Sequence, residues 1–291
     1  MRPNRSPRAW IAGAALLAAS LSGGTGVLAA GPLDDAMAAF RAGEFEKAAT
    51  LAASVPADDP SKPKALYVAG EAELARERWD AAAESFRAVL AAKKDNAPAT
   101  TGLGRALAGK GEKAEAEKTL RRALEIDAKD LGARRALGEF LTATARAEDA
   151  VKVLAAAPAK PVPGDALWAR AVVEAHLGAG KLDDAGKAAK AFGQEAQGTA
   201  MAHFLRALVL DRKNEDRDAI EAYEKALEKE PRFLDAHKNL AILCIAQNPL
   251  YTNQERTAKA MKHFDRYFAL GGRDAEVKRI YETLRQFIQA R

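Results

Sequence analysis

A chain of 291 residues can hold one or two domains, and heavy use of alanine with only 6% aromatic residues favours helices with an Ala/Leu core over sheet. The formal charge of +5 falls to 42 basic against 40 acidic side chains once Arg2, Arg5 and Arg8, in an acid-free N-terminal stretch, are set aside. An interspersed, nearly balanced surface excludes the clustered cations that nucleic-acid binding requires, and a single cysteine, Cys244, excludes an intrachain disulfide and a cysteine-based zinc cluster. Cys244 falls on an apolar stripe and reads as a small buried hydrophobe.

Residues 1–29 combine three arginines, an apolar run from Ala9 to Leu21 and a Ser/Gly-rich stretch ending in Val27 and Ala29, the layout of a cleavable secretory signal peptide of bacterial type. The run is shorter than the roughly 20 residues a bilayer span needs. An uncleaved N-terminal anchor is the alternative, since Gly23 to Ala30 carries no charge. No span is expected after cleavage.

From residue 30 a 34-residue pattern recurs, with starts near 29, 63, 97, 131 and 165 and one extra residue before 200. Its clearest members are Ala36 and Ala48 in the first unit, Gly70, Ala82 and Phe86 in the second, and Gly104, Ala116, Leu120 and Ala123 in the third. Gly138, Ala150 and Leu154 mark the fourth, whose end, AAPAKPVPGD, keeps the period and reads as a repeat boundary. In the fifth, Trp168 supplies an aromatic but Ala185 and Ala189 fall one residue late, which predicts a kink or a looser interface. In the sixth, Ala207 lies on one helical stripe and Ala219, Tyr223 and Ala226 on another, and Pro231 stops the second helix. The seventh, from Leu234, has an extended turn, AQNPLYTNQER, before Ala260 and Phe264. After Gly271-Gly272, residues 275–291 form an amphipathic helix with one wet side, as the end of a stack of repeats requires.

The sixth unit, with a small residue, an Ala, an aromatic, a second Ala and a Pro at positions 8, 20, 24, 27 and 32 (Ala207, Ala219, Tyr223, Ala226 and Pro231), resembles the tetratricopeptide repeat. The resemblance implies an all-α, right-handed α-solenoid of about seven helix-turn-helix repeats over residues 30–274, with residues 275–291 as a C-terminal capping helix. It also implies a groove lined by first-helix positions 2, 5, 9, 12 and 13. Carried over, these give Tyr67, Glu71, Arg105, Arg135 and Glu139, then Val173 and His176, then Met201, Phe204, Leu208, Lys238, Ile242 and Ile245. The apolar members read either as an exposed lining for a partner segment or as packing between repeats. Leu250 and Tyr251 in the extended turn form a second candidate contact.

No motif predicts catalysis, a cofactor or a metal. Gly104 to Lys110 has the spacing of a phosphate-binding loop, but Gly111 replaces the expected Ser/Thr and no strand precedes it. His176, His203, His237 and His263 are dispersed and read as packing residues. Lys238 is followed by Ile242 where a two-carboxylate clamp wants Asn. The expectation is a non-catalytic scaffold or adaptor that captures a protein or peptide partner in a bacterial cell envelope. The alternative is an accessory subunit serving a separate cell-wall or polysaccharide enzyme.

Overall fold

The computed structural model describes residues 31–157, 164–246 and 254–290; residues 1–29, expected to be a signal peptide, and Leu250 and Tyr251 lie outside the described residues. These contain fifteen helices and no strand. None is long and apolar enough to cross a membrane. The chain divides into two compact units between Lys160 and Pro161, within the segment that the period marks as a repeat boundary.

The first unit holds α1 (Pro32–Arg41), α2 (Phe45–Ser54), α3 (Lys62–Ala75), α4 (Trp79–Ala92), α5 (Ala97–Lys110), α6 (Lys113–Ile126), α7 (Leu131–Ala143) and α8 (Ala147–Ala155). Each helix packs on the next, and the odd-numbered helices also pack on one another, which makes four stacked hairpins with the first helices side by side. The second unit holds α9 (Ala166–Gly178), α10 (Leu182–Glu195), α11 (Ala200–Arg212), α12 (Asp216–Lys229), α13 (Leu234–Ala246), α14 (Gln254–Ala269) and α15 (Ala275–Gln289). It is three such hairpins, with α15 packed on α14 through buried Val277 and Leu284.

Local chemistry fixes where helices start and turn. Asn96, Asp130, Asp165 and Thr199 each accept a hydrogen bond from a backbone N–H in the first turn of α5, α7, α9 and α11, satisfying donors that have no partner within the helix. Between the two helices of a hairpin the chain passes through a left-handed residue, at Gly43, Glu77, Gly111 and Ala145, then at Gly180 and Asn214. Caps and turns agree that one extra residue falls before Asp165, not before Ala200. The fifth unit therefore keeps the 34-residue frame with α10, and α9 and α10 pack as a hairpin in which Ala185 and Ala189 are buried.

Packing is set by a large side chain pressed onto a glycine. A Cβ at Gly70 would lie 2.8 Å from the Phe86 ring, and one at Gly102 would overlap the same ring from the other side. Equivalent carbons at Gly104 and Gly138 would lie 2.7 and 2.8 Å from Leu120 and Leu154. Gly104 is thus a packing position, and Lys110 pairs with Asp80 and Glu112 (2.9 and 2.7 Å), so the loop-like spacing there serves the hairpin.

Two outcomes follow for stability. Gly102→Ala gains up to about 1 kcal/mol in helix propensity but forces the buried Phe86 ring to move, at about 1–3 kcal/mol, so urea unfolding should show a net loss; Gly193→Ala, with open space around it, should show a gain. Ala145→Gly should raise the thermal midpoint, because Ala145 holds a φ of 62° that costs an L-residue about 1–2 kcal/mol.

Candidate functional site: the first-helix faces

In the first unit the odd-numbered helices bring together Tyr67 and Glu71 of α3, Arg105 of α5, and Arg135 and Glu139 of α7. One Arg105 guanidinium nitrogen donates to both Glu71 carboxylate oxygens, at 3.0 and 3.2 Å, across exactly one repeat length of chain, and Arg135 donates to Glu139 at 2.8 Å. Burial works against the charge on Arg105, but Glu71 and Glu139 more than offset it and raise its pKa. Burial, reinforced by Glu71, also pushes the Tyr67 phenol up, and its ring stands edge-on to Phe86 at 5.7 Å. The sequence-predicted residues Tyr67, Arg105 and Arg135 therefore do share a face, and both arginines are already engaged by carboxylates of the same unit.

In the second unit the outcome differs. Phe204 is 0% exposed, so it lines no open groove; this corrects the expectation drawn from its frame position. Its ring packs on Phe233 at 4.7 Å and on Tyr223 at 6.0 Å, and the Arg170 guanidinium covers it at 5.5 Å from the centroid. Arg170 donates to Glu174 on its own helix at 2.9 Å and pairs with Asp235 of α13 at 2.8 Å, two hairpins away. Arg170 and Asp235 are 7% and 8% exposed. Burial opposes both charges; Glu174 and Asp235 nevertheless hold Arg170 ionised, and Arg170 with Lys238 holds the Asp235 carboxyl below its ordinary range.

Arg170 and Glu174 were missed because the extra residue was placed too late. With the frame starting at Ala166 they occupy positions 5 and 9, while Val173, assigned to the groove from the sequence, is fully buried and His176 is half-buried. The signal was present in the sequence: Ala185 and Ala189 stand 34 residues before Ala219 and Tyr223. Met201, Leu208 and Ile242 are half-buried and pack at the edge of the core, each keeping a solvent-facing part.

His237 meets His263 of α14, Nδ1 to Nδ1 at 2.9 Å. Cys244 is buried, and burial raises its thiol to about 11. Among the described residues no group of three or more His, Cys, Asp or Glu converges as a metal site.

Because Phe204 is core and Leu208 is at its edge, the two should separate on mutation. Phe204→Ala should cost about 3–5 kcal/mol in chemical unfolding, whereas Leu208→Asp should change stability far less, with helicity by circular dichroism retained.

Comparisons with known proteins agree with this architecture. Family models described as tetratricopeptide repeat match residues 73–131 in one case, and residues 33–98 and 204–275 in another. Among the curated proteins no sequence matches. Among solved structures, a tetratricopeptide repeat protein from Parabacteroides merdae superposes with a TM-score of 0.67 at 13% identity, over 87% of this chain and 97% of that one. The Cut9-Hcn1 hetero-tetramer of the APC/C gives 0.63 at 15% identity over 87% of this chain, and the human IFIT1 dimer with PPP-AAAA gives 0.55 at 19% over 81%. This chain spans 48% and 58% of those two chains.

Proposed function

Since the chain belongs to the tetratricopeptide repeat family, we propose that it is a non-catalytic protein–protein interaction scaffold that seats a partner segment on the first-helix face of its second unit. The observation that carries this choice of unit is the contrast at position 9. In α3, α5, α7 and α9 that position is Glu71, Arg105, Glu139 and Glu174, with Glu71 bound to Arg105, Glu139 to Arg135 and Glu174 to Arg170, and a partner would have to displace these carboxylate–guanidinium contacts. In α11 and α13 it is Leu208 and Ile242, whose exposed parts would gain about 25 cal/mol for each Å² of apolar surface removed from water. Met201 adds to the same apolar surface.

The partner is a protein or peptide of the bacterial cell envelope, reached by export under residues 1–29. That part of the reading rests on the basic, apolar and small-residue order of those residues. Fusing residues 1–40 to a phosphatase active only after export checks it: activity is expected, and its absence would place the protein elsewhere.

The docking surface is checked by selecting displayed helical peptides on the purified chain. Selected peptides should lose about tenfold or more in affinity for a Leu208→Asp, Ile242→Asp double variant that remains helical, and should bind Arg135→Ala as they bind the parent. The reverse pattern would move the site to the first unit.

A further inference from the structure

The imidazoles of His237 and His263 form an isolated buried pair between α13 and α14, and the geometry dictates its protonation. His237 Nε2 lies 3.1 Å from the Pro231 carbonyl, which can only accept, so that nitrogen carries the proton. A neutral His237 then has a bare Nδ1, and His263 must donate its own Nδ1–H across the 2.9 Å contact. Adding a proton at His237 Nδ1 would set two N–H groups head to head. The alternative, a proton on His263 Nε2, places a full charge in a site that is nearly closed to water.

The surroundings make that charge unwelcome. From α14, Lys259 and Lys262 face His263, and Lys262 and Arg266 face His237. Opposing them from α12 is Glu224, already held by Lys259 at 2.7 Å. On α13, Asp235 is engaged by Arg170 and Lys238, and where α15 packs on α14, Asp265 accepts from the Tyr281 hydroxyl at 2.7 Å. A cation bridging the two Nδ1 atoms is disfavoured by the same lysines and by having only two nitrogen donors.

We infer that this pair is an acid-labile joint: neutral, it fastens α13 to α14, and on protonation it releases the hairpin while the rest of the second unit stays folded. Burial pushes both imidazoles below their ordinary range, His263 to about 4 with His237 as the next cause. A histidine depressed in this way contributes stability that is complete above its unfolded value of about 6.5 and is lost as pH falls toward the folded value. Release therefore sets in below about pH 6.5, above the range in which Asp235 protonates. Because α13 carries Ile242, a partner seated there would be freed as well; that consequence rests on the proposed function, whereas the joint itself does not.

The test is amide hydrogen exchange on the full chain at about pH 7 and pH 4.5, corrected for intrinsic rates, with NMR titration of the imidazoles. The expected result is a protection loss of about tenfold or more in α13 and α14 at the lower pH, with α11, α12 and the first unit unchanged, and both imidazoles resisting protonation relative to free histidine. A His237→Phe, His263→Leu variant should abolish the pH response. If that variant does not fold, the parent still decides: unchanged protection in α13 and α14, uniform loss throughout the second unit, or imidazoles titrating near 6.5 would each overturn the joint.

Discussion

The close approach of two helices at a very small residue, repeated from hairpin to hairpin in the first unit, is the constraint on which the rest of the structure depends. Phe86 lies between Gly70 and Gly102, Leu120 against Gly104 and Leu154 against Gly138, at contacts no side chain beyond hydrogen would leave undisturbed. Once helices approach that closely, alanine is large enough to fill most of the remaining interface. A core with few aromatics can then still exclude water, as the fully buried Ala82, Ala116 and Ala150 show. In α11 the same seat is Ala207, and the large partner becomes Tyr223, also fully buried; in α9 the seat is taken by Val173.

Stacking identical hairpins has an electrostatic consequence. Side chains at the same position of successive first helices are brought side by side, so residues 34 apart in sequence behave as neighbours, much as residues four apart do along one helix. Glu71, Arg105 and Glu139 occupy one such row with alternating sign, and Arg105 feels both carboxylates. A row of one sign would repel itself in a half-buried setting where screening by water is weak. The alternation settles the polar character of the row across α3, α5 and α7; in the second unit the corresponding row begins with Glu174, engaged by Arg170, and continues with the apolar Leu208 and Ile242.

Much of this was legible in the sequence. The recurrence of Gly70, Gly104 and Gly138 with Phe86, Leu120 and Leu154 carries both period and packing, and Gly271-Gly272 correctly separates α14 from α15. What was not legible has a physical origin. A one-residue insertion rotates a helix by about 100°, so placing it before Ala200 instead of before Asp165 exchanged Arg170 and Glu174 for Val173 and His176 on the reading of one face. Phe204 was misread for a different reason. Its frame position does belong to the first-helix face, but a frame cannot show that a long side chain from another hairpin lies over it. The His237–His263 contact is of the same kind, since it joins helices across the extended turn that breaks the period.

The Arg170–Asp235 pair raises the question of why two charges are buried where apolar side chains could pack. Taking each ion out of water costs several kcal/mol, and mutual attraction often does no better than balance that cost, so stability alone does not explain the pair. Register does. Arg170 reaches Asp235 only if α9, α11 and α13 stack with Phe204 beneath the guanidinium, and it also requires Glu174 one turn along on the same helix. A slip of one residue in α9 would carry Arg170 away from that face and leave Asp235 buried with only the 3.6 Å contact to Lys238. Losing one partner of a buried pair typically costs about 3–5 kcal/mol, a penalty that alanine-rich helix faces, nearly alike in every register, cannot impose by packing alone. In a stack built from such interchangeable surfaces, one strongly coupled ion pair spanning three first helices singles out the alignment that the small residues permit but do not select.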